Sequence, residues 1–88
     1  MDRKEELQLK GLHPVIVDID EVSKKLGQRA RRIREKRRMT QNDVALVSNL
    51  HINTIKNFES GKPATFGTVL AVSESLEVSL YYITKGIV

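Results

Sequence analysis

Ile52 to Lys62, INTIKNFESGK, carries side chains suited to non-covalent recognition rather than bond-making. Ile55 and Phe58, three residues apart, mark an inner helical face, and Ile52, Asn53, Lys56 and Asn57 lie on the outer face, short, polar and mostly uncharged. A carboxamide holds a donor and an acceptor in one plane, so Asn53 or Asn57 can pair bidentately with adenine N6 and N7, and Ile52 can pack on a thymine methyl. An exposed Asn on a helix is more often plain surface, and these residues alone leave both readings open. Thr40, Thr54, Lys56, Ser60 and Lys62 nearby are of the types that hydrogen-bond phosphate oxygens, although Lys56 serves equally well as a solvated surface cation. His51 could cap a helix, touch phosphate or do neither.

Catalytic chemistry finds little to work with. There is no Cys, hence no disulfide framework, no Cys-based zinc site and no thiol nucleophile. His13 and His51 are far apart, neither stands at i, i+4 from another metal ligand, and the carboxylates are scattered. Glycine-rich phosphate loops, HExxH and nucleophile motifs are all missing. We therefore expect no catalytic residue, no metal and no cofactor.

The elements that must position the outer face are legible in local signals. Thr40 and Asp43 form a capping-box variant, so a helix should start there, with Val44, Ala45 and Val47 on its inner side. Ser48 and Asn49 interrupt the pattern, and Asn is the commonest non-glycine residue in the left-handed conformation that a tight turn needs. A second helix begins near His51 and stops at Gly61.

Together these residues resemble the helix-turn-helix of the lambdoid repressor and Cro family, the Xre-like regulators. Thr40, Gln41, Asp43, Val44, Ala45, Thr54, Ile55, Glu59, Gly61 and Lys62 meet its central pattern. Leu26-Gly27 and Arg31 to Arg34 resemble its first helix, and Leu76, Val78 and Ser79 its downstream LGVS, so the resemblance covers about residues 22 to 86. Arg38 and Asn49 stand where the family often has Gly, and His51 where Ser or Thr usually caps. The resemblance implies an all-α, compact, repressor-like bundle of about five short helices around a central helix-turn-helix. It also implies a sequence-specific regulator, a repressor, that binds a pseudo-palindromic operator in double-stranded DNA as a homodimer, with residues 51 to 60 in the major groove. In that setting Ile52, Asn53 and Asn57 become base readers. Gln41 matches a position that meets phosphate and braces the recognition side chains, and Arg34 matches an arginine that pairs with the glutamate here at Glu59.

The rest of the chain supports this core. At 88 residues it is one small domain, and a net charge of +4 favours an anionic partner only mildly. We divide it into an arm, residues 1 to 20, flexible or dimer-pairing, and a helix-turn-helix domain, residues 21 to 88. MDRKEELQLK could be a frayed helix or disordered, and Val15 to Ile19 reads as a lone β-branched strand that must pair with something. Asp20 to Arg38 should form a basic first helix with Val22, Leu26, Ala30 and Ile33 on its inner stripe. Thr65 can cap a helix whose Phe66, Val69, Leu70, Val72 and Leu76 close the core. VSLYYIT suits either a last helix, with Leu80, Tyr82 and Ile83 inward, or a strand paired across a dimer. The strand would resemble HipB-like antitoxins, making a toxin protein the alternative partner; the helix is preferred. No stretch is apolar enough to span a membrane, and a cytoplasmic location is expected.

Overall fold

The computed structural model describes residues 1–87. The chain runs through α1 (Arg3–Leu9), α2 (Ile19–Lys36), α3 (Gln41–Ser48), α4 (Ile52–Glu59), α5 (Phe66–Ser75) and α6 (Leu80–Thr84). Helix α2 packs on α4 and α6, α3 on α4 and α5, and α5 on α6. Ala30, Val44, Ile55, Phe58, Val69, Val72, Leu76 and Ile83 form the core, drawing on every helix except α1.

Each helix starts at a side chain that accepts an orphan backbone N–H. Asp2, Asp18, Thr40, His51, Thr65 and Ser79 do this for α1 to α6 in turn. At Thr40 the capping box is complete, with the Asp43 carboxylate accepting the Thr40 N–H at 2.7 Å. Five helix ends share one device. At α1 to α5, a residue in the left-handed region is followed by an N–H that reaches back five residues: Leu12 to Leu7, Met39 to Arg34, Leu50 to Ala45, Lys62 to Asn57 and Val78 to Ser73. The left-handed residues are Gly11, Arg38, Asn49, Gly61 and Glu77, and only two of them are glycine. Arg38 (φ 56°) and Asn49 (φ 59°) thus keep the backbone path that the family often builds with Gly, at the steric cost that a Cβ brings there.

Several sequence expectations change. Val15–Val17 forms no strand, and among the described residues there is none. Asp18 caps α2 and Ile19 becomes its first residue, since a lone strand finds no ladder partner while the capped helix satisfies its own backbone. Helix α2 therefore begins before Asp20 and ends at Lys36, before the left-handed Arg38. MDRKEELQLK contains a helix, α1, that buries nothing. The radius of gyration is 16.4 Å, above the roughly 12 Å of a compact chain this long, and the longest extent is 55 Å.

The buried stripe of α2 runs through Ser23, Gly27 and Ala30, while Val22, Leu26 and Ile33 are half-buried beside it. The stripe moves because α4 crosses closely: a Cβ on Gly27 would meet the Phe58 carbonyl oxygen at 2.3 Å. Val47 faces outward, as do Phe66 and Tyr82, and Leu70 is exposed at the margin of the core. These helices are too short and their turns too tight to bury every apolar position that the period allows. VSLYYIT is helical from Leu80, with Ile83 fully buried.

Gly27→Ala should lose about 1–3 kcal/mol in urea unfolding, because the atoms its methyl meets are backbone and α4 must move. Arg38→Gly should do the opposite and raise stability by about 1 kcal/mol, the order of the left-handed penalty removed. A neutral Gly27→Ala would contradict the close crossing, and a destabilising Arg38→Gly would contradict the strain.

Candidate nucleic-acid interface

Helix α4 carries half of the candidate side chains. Ile55 and Phe58 hold its inner face in the core, 1% and 3% exposed, which leaves Asn53, Lys56 and Asn57 fully outward and Ile52 and Thr54 half-buried at the edges. Asn53 and Asn57, four residues apart, are neighbours on one strip of helix surface. His51 settles its role at the helix end: its Nδ1 accepts the Asn53 N–H at 3.0 Å. That bond requires the proton on Nε2, which leaves a donor on the far edge of an exposed ring. Ser60 turns its hydroxyl back to the Asn57 carbonyl at 2.9 Å. Lys62 lies beyond the helix, beside a cleft of about 150 Å³ walled by Val22, Leu26, Phe58 and Pro63.

The angle of α4 is set from its C-terminal end. Arg34 on α2 grips Glu59 with two parallel bonds, Nε to Oε2 at 2.7 Å and Nη2 to Oε1 at 2.9 Å. Their side chains are only 13% and 6% exposed. The third guanidinium nitrogen, Nη1, donates to the Met39 carbonyl at 2.9 Å and so fixes the turn into α3. Gln41, in the first turn of α3, donates to Glu59 Oε1 at 3.2 Å. Hydrogen bonding to Glu59 raises the Arg34 pKa above its ordinary value against the lowering effect of burial, and the Glu59 and Glu35 charges add to the rise. Arg34 is therefore a permanent cation.

Arg34, Glu59 and Gln41 thus come together at one point, joining α2, α3 and α4. The exposed Thr40 sits at the start of α3 with its hydroxyl oxygen accepting the Asp43 N–H at 3.0 Å, so its own proton is free to face outward. Two contacts had no local signal in the sequence. Met39 contributes a backbone carbonyl, which any residue possesses. Arg29 donates to the carbonyls of Tyr82, Ile83 and Lys85, more than fifty positions away. Such a bond cannot be inferred from spacing.

Residues 31–83 match the family model described as helix-turn-helix, which takes in the last third of α2, all of α3, α4 and α5, and α6 as far as Ile83. No curated protein matches the chain.

Arg34→Ala should cost about 3–5 kcal/mol in urea unfolding, since it strands a buried carboxylate. Arg34→Lys should recover only part of this, because an ammonium cannot reproduce the two-pronged grip. Equal midpoints for Arg34→Ala and the unsubstituted protein would refute the bracing role.

Proposed function

The chain belongs to the Cro/C1-type helix-turn-helix family of DNA-binding transcription regulators, and from that membership we propose that it is a repressor that binds a pseudo-palindromic operator as a homodimer. The observation that carries the reading is the exposed pair Asn53 and Asn57 on α4, a helix clamped at its end by Arg34, Glu59 and Gln41. A rigidly held strip of carboxamides suits the major groove, where each can read an adenine edge, with Ile52 against a thymine methyl. Thr40, Gln41, His51, Thr54, Lys56 and Lys62 act on phosphates and set register rather than sequence, and Ser60 joins them by turning its hydroxyl away from the Asn57 carbonyl. Gln41 does so while bonded to Glu59, so a phosphate contact there would couple to the angle of α4.

Dimerisation follows from the size of the reading head. One short helix contacts too few base pairs to find a site in a genome, and twofold pairing doubles the count. The rival reading, an antitoxin with a toxin partner, drew on a C-terminal strand shared across a dimer. Leu80–Thr84 is helical, so that support is gone.

DNA from upstream of its own gene, titrated at two or more salt concentrations, tests the proposal. Asn53→Ala should cost about 1–3 kcal/mol per half-site on the operator and little on random DNA. Lys56→Ala should weaken both DNAs alike and flatten the salt slope by about one unit per site. Equal losses on operator and random DNA for Asn53→Ala would overturn the claim that α4 reads sequence.

A further inference from the structure

Helix α2 presents a second functional surface on the side that α4 does not cover. Its stripe toward α4 runs through Ser23, Gly27, Ala30 and Arg34. Ile33 lies roughly a quarter of a turn around the helix from that stripe, and Arg32 and Lys36 lie nearly opposite it. There α2 and α6 enclose an open groove of about 630 Å³ to which α3 and α4 contribute nothing. Ile33, Val78 and Tyr82 supply apolar surface, and Arg32, Lys36 and Lys85 supply cations.

The other two cations in the groove are already engaged. Arg29 closes the end of α6 through its carbonyls, and Arg37 lies 3.6 Å from the exposed Glu77 carboxylate. Arg32 and Lys36 form no ion pair among the described residues. Tyr82 is 55% exposed, so its ring leaves apolar surface uncovered at the groove.

The geometry points to a docking groove for an acidic segment of a partner protein, one that interleaves carboxylates with large apolar or aromatic side chains. The charge excludes the simplest alternative occupant, since a twofold-related copy of this surface would set these cations against themselves. Arg32 and Lys36 lie one turn apart on α2 and Lys85 just beyond α6, on either side of the apolar floor, an arrangement that suits an extended chain better than a single phosphate. The groove also lies away from α4, so the inference goes beyond the DNA reading and does not depend on it.

Fluorescence anisotropy of the full chain with a labelled peptide of aspartates carrying a phenylalanine at every third position provides the test. The peptide should bind, and more tightly than plain polyaspartate, because the apolar floor adds to the charge. Arg32→Glu with Lys36→Glu should weaken the peptide by at least about tenfold, the scale of opposing charges placed in contact. The double reversal takes the net charge from +4 to 0 and so weakens any polyanion somewhat, but the loss on random duplex DNA should be several-fold smaller than the loss on the peptide, with equal losses only if the groove tracks phosphates. Circular dichroism should show the helices intact; if the reversal unfolds the chain, the neutral pair Arg32→Gln and Lys36→Gln takes its place with the same expectations. Absence of peptide binding, equal binding of plain polyaspartate, indifference to the substitutions, or displacement of the peptide by random duplex DNA would each overturn the proposal. Loss of sequence reading in Asn53→Ala would leave it standing, so the two claims fail separately.

Discussion

The structure depends on one nearly buried ion pair. Arg34 and Glu59 lie on helices separated by a third, and the fork of the guanidinium leaves the carboxylate little choice of position. A pair of this kind need not add net stability, because removing two charges from water opposes the attraction regained. Its effect is geometric. Hydrophobic contacts of Ile55 and Phe58 would tolerate some rotation or sliding of α4, whereas parallel bonds to both carboxylate oxygens tolerate very little. With Gln41 on the same carboxylate and the Met39 carbonyl on the third nitrogen, the grip extends to the start of α3.

That grip requires α2 and α4 to be close, and Gly27 allows it by presenting no Cβ to the Phe58 carbonyl. The turns matter for the same reason. Helices of eight residues, as α3 and α4 are, hold their positions only if both ends are defined. Each begins on a capping side chain and ends on a left-handed residue, so the path between them is set by backbone bonds as much as by burial. The use of Arg38 and Asn49 in place of glycine shows that the bonds outweigh the strain of the Cβ.

Helix α2 therefore has two unlike sides. Toward α4 its residues are small or committed to Glu59, and toward α6 they are cationic around an apolar floor. Arg29 belongs to the second side but works internally, closing the last turn of α6 and keeping Ile83 in the core. A basic run that reads as uniform solvated charge is thus divided among an internal clamp at Arg34, a helix closure at Arg29, and exposed positions such as Arg32 and Lys36.

Local sequence determined the parts whose physics is local. The capping box at Thr40, the left-handed Asn49, the stop at Gly61 and the inner pair Ile55 and Phe58 each involve residues a few positions apart, and each appears in the fold. The pairing of Arg34 with Glu59 was legible only through the family pattern, because nothing in either residue names a partner twenty-five positions away. Tertiary structure alone decided the rest. It shifted the buried stripe of α2 to Gly27, because the distance of an approaching helix is no property of α2 itself. It turned Val47, Phe66 and Tyr82 outward, because a core this small has fewer places than the period offers. It made Ile19 the start of a helix rather than the end of a strand, because a strand needs a partner and a helix supplies its own hydrogen bonds.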